Sequence, residues 1–419
     1  MPLTHNITDG VDLLFVSNKK FHTTLVSFNF YLPLEKEKIS SYSLLTSILT
    51  TCSERYRDYR LLNLELGRLY GADISSNVTK VGDQLCLKFK VSTINEEYAM
   101  DGEKPILEAV GMLMELLFAP KISNNAFELE DIKREKRMLI EHINGELNDK
   151  RQFARKRLIE EMFEDDVYGL YRLGNVSDIE KVDGAALYAA WQNMINNAVV
   201  KINVIGKELP QGIVEELKSK FAARNSQIKN TVPTAYRTQP KFVTERFDVA
   251  QGKLVMGFTG VFGDDENSVD ALVMGDIFGG GPYSLLFNNV REKQSLCYYC
   301  SSQSVRSKGY LMVDSGVEAD NAQKAYEEIL NQLETMKKGE VGDYEFEASK
   351  KGITDSLMAA NDSLGGIDSW YTVRALQKRV YSPEELAQMV QNVSRDGLVN
   401  AANKVQLNTV YMLLPKEGV

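Results

Sequence analysis

The feature that most constrains this 419-residue chain is that it repeats itself. Phe127-Glu128-Leu129-Glu130 is followed by Lys133, and Tyr344-Glu345-Phe346-Glu347 by Lys350, so the same aromatic, acidic and apolar order returns 217 positions later, from 127 to 344. Each copy follows a long helical pattern, over 106–118 in one and 325–336 in the other. Upstream, a strand-like run over 24–32 precedes a helix over 41–51, and a run over 253–262 precedes a helix over 268–278. Both halves close on an apolar strand, 198–205 and 409–414. A repeat this long predicts two similar α+β domains rather than one core, because single cores stop growing well below 419 residues.

The join is legible as well. Pro210, Pro233 and Pro240 fall in polar sequence between Lys207 and Arg246, where strand periodicity is weak. The expected division is a first domain over 1–224, ending in a helix over 211–223, a linker over 225–240 and a second domain over 241–419.

Composition narrows the function classes. With 49 Lys and Arg against 58 Asp and Glu, the net charge is −9, which argues against nucleic acid or an anionic membrane as the main partner. The N-terminus lacks the basic and apolar blocks of a signal peptide, and no apolar run approaches bilayer length, so a cytoplasmic protein is expected. Four cysteines are too few for a disulfide framework. Cys297 and Cys300 form a C-x-x-C, but redox pairs of that kind open a helix and this one sits in a strand-like run. With no second C-x-x-C to complete a zinc site, all four are read as buried, reduced thiols.

The sharpest local motif is Gly279-Gly280-Gly281-Pro282-Tyr283-Ser284-Leu285-Leu286-Phe287, running on through Arg291 to Tyr298. Three glycines can cradle phosphate, yet these follow a helix and lack a succeeding Lys-Ser/Thr, which argues against a nucleotide site. Arg291 ends an amphipathic helix and Tyr298 lies seven residues later on a strand, so the helix-to-strand turn alone can aim both at one spot. Guanidinium and phenol both donate hydrogen bonds to oxygen and together could grip a peptide carbonyl. Taken singly, Arg291 reads as a cation complementing a helix C-terminus and Tyr298 as a half-buried strand aromatic.

This motif in the second of two α+β repeats resembles the pitrilysin or insulinase group of zinc peptidases, which includes the mitochondrial processing peptidase. The resemblance in layout covers nearly the whole chain, while its sharp signature is confined to 279–298. It implies two tandem homologous domains, each a mixed, largely antiparallel sheet flanked by helices. It implies that Gly279, Gly280 and Gly281 form a flexible turn, that Arg291 holds the substrate backbone and that Tyr298 stabilises the oxyanion. Catalytic members carry H-x-x-E-H on the helix after the first long strand, two imidazoles binding zinc while the Glu activates water. Here the matching run is Ser43-Leu44-Leu45-Thr46-Ser47-Ile48-Leu49-Thr50-Thr51-Cys52, without His or Glu. The family's distal ligand falls near Lys133, with Glu130 and Glu135 the nearest carboxylates. Of the three histidines, His5 and His22 have no carboxylate at ligand spacing, and Glu141-His142 is preceded by Met138 where a first His would be needed.

No metal is therefore expected on this chain. The resemblance implies the non-metal subunit of a heterodimeric peptidase, with zinc in an H-x-x-E-H-bearing homologous subunit, a peptide as substrate, and self-pairing as an option in isolation. The rival expectation is a catalytically inactive scaffold or binding protein of the same fold.

Overall fold

A computed structural model describes residues 2–224, 228, 231–261 and 268–416. Residues 225–227 and 229–230 of the expected linker, and Phe262 at the expected end of one strand, lie outside them. The chain divides into two compact units. One comprises Met1–Asn144, Leu170–Asn230 and Asp362–Leu376; the other comprises Gly145–Gly169, Thr231–Asn361 and Gln377–Val419. The crossing at 230–231 falls inside the expected linker, but neither unit is continuous. Each takes a helix from the other half of the sequence.

The first unit holds β1 (Leu3–Thr8), β2 (Val11–Ser17), β3 (Thr23–Pro33), β4 (Asp73–Val81), β5 (Gln84–Ile94), a small hairpin of β6 (Ile122–Ser123) and β7 (Ala126–Phe127), and β8 (Val199–Gly206). Its six-stranded sheet has the order β1-β2-β8-β3-β5-β4. β3 reads Thr-Thr-Leu-Val-Ser-Phe-Asn-Phe-Tyr-Leu-Pro and is buried along almost its whole length, as a central strand covered on both faces should be. The second unit holds β9 (Lys241–Phe247), β10 (Gly252–Thr259), β11 (Cys297–Val305), β12 (Tyr310–Val317) and β13 (Gln406–Pro415), in the order β11-β12-β10-β13-β9.

The repeat is visible in register. Each sheet has one parallel pair, β2 with β8 and β9 with β13, beside an otherwise antiparallel run. Reading the second sheet backwards maps β9, β13, β10, β12 and β11 onto β2, β8, β3, β5 and β4, leaving β1 as an extra edge strand. The architecture is thus two copies of a mixed, largely antiparallel sheet flanked by helices.

The expected helices form with shifted ends. The one expected over 41–51 runs over Lys36–Ile48, starting after Glu35 with Glu37 in its first turn. It stops early because the hydroxyls of Thr50 and Thr51 bond the carbonyls of Ser47 and Ile48, competing with the helical ladder. The helix expected over 211–223 is Ile213–Lys220 and starts after Gly212, whose φ of 90° suits glycine. Pro105–Phe118 and Ala322–Lys337 follow their apolar patterns closely.

In the second unit, helix Lys150–Met162 packs on β10 and β13. Its Ala154, Leu158 and Met162 join Val255, Tyr310, Met312, Tyr411 and Leu413 in one buried cluster. At about 1.5–3 kcal/mol per large apolar side chain, this cluster is a main support of the sheet. In the first unit, helix Leu364–Thr372 packs on β3 and β8. No helix among the described residues is long and apolar enough to cross a membrane.

Candidate substrate-binding site

The glycine run lies at the end of helix Ser268–Gly279. None of its three glycines has left-handed φ; each is glycine because the space is occupied. A Cβ on Gly279 would meet the Ser302 nitrogen at 2.6 Å, on Gly280 the Asp276 carboxylate at 2.0 Å, and on Gly281 the Tyr283 ring at 2.8 Å. Asp276 ties the turn together. Its Oδ2 accepts from the Tyr283 hydroxyl at 2.7 Å and from Ser349 at 2.6 Å, while its backbone oxygen accepts from Gly280 N–H at 2.7 Å. Burial pushes the Asp276 carboxyl up, and the two hydroxyl donors pull it partly back.

After the turn comes a π-helix, Leu286–Lys293, anchored by buried Leu286 and Val290. The wider winding of π-helices is rare and tends to occur where a side chain must be displayed. Arg291 sits here, its guanidinium 4.6 Å from the centre of the Phe287 ring and 3.5 Å from a Glu292 carboxylate oxygen, with 39% of the side chain exposed. Phe287 is four residues earlier on the same face. Ser295 then adopts φ 53°, and Leu296 N–H bonds the Val290 carbonyl at 3.0 Å, a six-residue closure that ends the helix and turns the chain into β11.

β11 opens with a bulge. Cys297 faces Val317 and Tyr299 faces Gly316, so Tyr298 is the extra residue. The bulge turns Cys297 and Cys300 both inward and leaves Tyr298 56% exposed. Its hydroxyl donates to Glu318 Oε1 at 2.7 Å, and this bond raises the phenol's pKa. All four cysteines are free and buried. Cys297 and Cys300 share a hydrogen bond that lowers the first thiol and raises the second.

Arg291 and Tyr298 therefore lie on adjoining elements that pack against one another. Each is held by its own neighbours, Arg291 by Phe287 and Glu292, Tyr298 by Glu318. Sequence reasoning missed Asp276, Phe287 and Glu318. The four-residue spacing of Phe287 and Arg291 was a signal; Glu318 arrives through the β11–β12 pairing and leaves none nearby.

The residues where family catalysts hold zinc do not fit a metal. Ser43 and Thr46 are buried and donate their hydroxyls to the carbonyls of Arg172 and Tyr42. Cys52 lies 3.8 Å from Asp131, and burial, reinforced by that carboxylate, pushes its thiol up and away from the thiolate a metal needs. The nearby carboxylates have cations already. Asp131 is 3.3 Å from Lys121 and 3.0 Å from Arg134, Glu135 is 3.0 Å from Arg134, and Glu130 is 2.8 Å from Lys133. His142 and Met138 are exposed on helix Leu129–Asn148, His5 lies on β1, and His22 pairs with the Tyr98 hydroxyl at 2.5 Å. Among the described residues no three His, Cys, Asp or Glu side chains are grouped to hold a metal ion.

Similarity to known proteins agrees with this geometry. The chain is 30% identical, over 98% of its length and 97% of the relative's, to a Bacillus subtilis protein named probable inactive metalloprotease YmfF. Residues 181–353, which include the glycine run, Arg291 and Tyr298, match the description Peptidase M16 inactive domain. The chain belongs to the M16 peptidase family. A B. subtilis protein named uncharacterized zinc protease YmxG is 23% identical over 70% of both chains. Among solved structures, a conserved protein from Enterococcus faecalis superposes with a TM-score of 0.93 at 27% identity, covering 100% of this chain and 99% of that one. This M16 chain carries the family's inactive domain over 181–353, and its 43–52 run holds neither His nor Glu.

Proposed function

We propose that this chain is the non-metal subunit of a heterodimeric zinc peptidase-like complex, lending Arg291 and Tyr298 to the zinc site of a homologous subunit that bears H-x-x-E-H. One observation carries the reading. The donor pair is displayed by three locally unfavourable features in succession, a π-helix, a left-handed serine and a bulge, in a chain whose own metal positions are filled by small or paired side chains.

In this role the Arg291 guanidinium binds a backbone carbonyl of an extended peptide near the scissile bond. The Tyr298 hydroxyl leaves Glu318 and donates to the oxygen that gains charge as water adds. Donors that act on developing charge are commonly worth about 3 kcal/mol each, or roughly a hundredfold in rate. The glycine turn, set by Asp276, adjusts the approach of the π-helix to the peptide. Zinc and the water-activating Glu belong to the partner, and both subunits work in the cytoplasm.

The test is peptide hydrolysis by the mixed subunits. Arg291→Ala and Tyr298→Phe are each expected to lower kcat about a hundredfold while leaving assembly of the two chains intact, followed by gel filtration. Unchanged rates for both variants rule the shared site out.

A second reading has its own support. Glu318 already accepts a hydrogen bond from Tyr298 and Glu292 lies 3.5 Å from Arg291, so both side chains have a partner within the chain. A catalytically inactive scaffold or binding protein of the same fold needs no more than that, and the name of the YmfF relative agrees. This reading predicts that both substitutions leave hydrolysis by any mixture untouched.

A further inference from the structure

The two helices that cross to the opposite half each meet a buried charge on the sheet that receives them, and the signs are opposite. In the first unit the sheet is positive. Lys88 on β5 points at helix Leu364–Thr372, and its ammonium lies 2.5 Å from Asp368, with only 9% and 3% of the two side chains exposed. Asp368 also accepts from Ser27 at 2.5 Å and Asn203 at 2.9 Å, so this anion is fully solvated by the sheet. It is the sole charged residue of that helix.

In the second unit the sheet is negative. Asp314 on β12, 2% exposed, receives Arg151 at 2.6 Å and Arg155 at 2.6 Å from helix Lys150–Met162, and Glu245 on β9 receives Arg157 at 2.7 Å. β5 and β12 are equivalent strands, each next to the central strand of its sheet. The crossing helices are equivalent too, since each follows the long helix that contains the repeated motif.

Like helices therefore choose between like sheets, and apolar packing alone distinguishes them poorly. Charge distinguishes them sharply. Were helix Lys150–Met162 to settle on the sheet of its own half, Arg151 and Arg155 would face Lys88; were helix Leu364–Thr372 to do the same, Asp368 would face Asp314. Each arrangement would set like charges together at the sheet and leave the buried Lys88 or Asp314 without its counterion, which low dielectric penalises. Buried polar groups are best attested in this role of fixing register and partner choice.

We infer that the opposite polarity of the Lys88–Asp368 and Asp314–Arg151/Arg155 pairs directs each crossing helix to the sheet of the other half. The pairs specify the fold by excluding the uncrossed arrangement and the equivalent pairing with a second chain.

The experiment is refolding of the full chain from denaturant, read by gel filtration and by methyl NMR. In Lys88→Asp/Asp368→Lys the local pair is rebuilt with reversed sign, which makes both sheets negative and both helices positive. The expected result is a several-fold lower yield of native monomer, the remainder appearing as dimers or as a second set of methyl signals. Lys88→Gln/Asp368→Asn removes the charges but keeps the hydrogen bonds to Ser27 and Asn203, and separates direction from accommodation of the swapped side chains. It too is expected to give more than one compact species. A single native monomer at wild-type yield from either variant overturns the inference. Failure of the neutral variant to form any compact species overturns it as well, because that assigns the pair to stability alone.

Discussion

Asp276 holds the candidate site from a half-buried position at the end of helix Ser268–Gly279. Its carboxylate accepts from Tyr283 and Ser349 while its backbone oxygen holds the glycine turn, and burial raises its pKa. The folded chain thus holds this proton more tightly than the unfolded one. Its contribution to stability is complete below the ordinary carboxyl range and is lost as pH rises through the raised folded value. Asp276→Asn keeps an oxygen for both hydroxyls and removes the charge. Urea unfolding of both proteins across acid to neutral pH should show the variant gaining on the wild type as pH rises; parallel curves contradict this. The position of Asp276 was not legible in the sequence, since one Asp in an apolar helix gives no sign of which turn it faces. Arg291 and Tyr298 were legible as a motif, but the bulge that exposes Tyr298 was not. One extra residue in a ladder has no compositional mark.

At the scale of elements, the passage from π-helix to β11 depends on Ser295. A non-glycine residue at φ 53° is strained by about 1 kcal/mol or more, offset in part when glycine loosens the unfolded chain. Ser295→Gly should therefore raise stability by about 0.5 kcal/mol, and Ser295→Val, β-branched in the same conformation, should lower it by more than 1 kcal/mol. Thermal unfolding of the two variants measures both, and equal effects on Tm sink the argument. The sequence showed a helix and then a strand here, and both exist. It could not show the π winding, because i to i+5 bonding answers to packing of Leu286 and Val290 rather than to propensity. The same limit applied to the Lys36–Ile48 helix, placed five residues late at its start because Lys36 to Ser40 lack an apolar periodicity of their own.

At the scale of the molecule, the internal repeat announced two similar α+β domains, and two mixed, largely antiparallel sheets are present; that each carries one parallel pair at the same place was not legible. The crossing of helices Lys150–Met162 and Leu364–Thr372 was hidden. An amphipathic pattern states that a helix has a face to bury and is silent about which sheet buries it. Only once strand register placed Lys88 and Asp314 on equivalent strands did the charge reversal become readable. The chemistry follows the same logic of parts and partners. On the reading proposed above, this chain of the M16 family, with Arg291 and Tyr298 as donors and with Ser43, Thr46 and paired carboxylates where metal ligands would stand, contributes half of a catalytic site. The most direct measurement compares peptide hydrolysis by this chain alone, by an H-x-x-E-H-bearing homologue alone and by their equimolar mixture, with zinc counted in each pure chain. The account predicts no zinc and no hydrolysis for this chain, and a mixture at least about a hundredfold faster than the homologue alone, matching the value of one such donor. Stoichiometric zinc with hydrolysis by this chain alone, or a mixture no faster than the homologue, contradicts it.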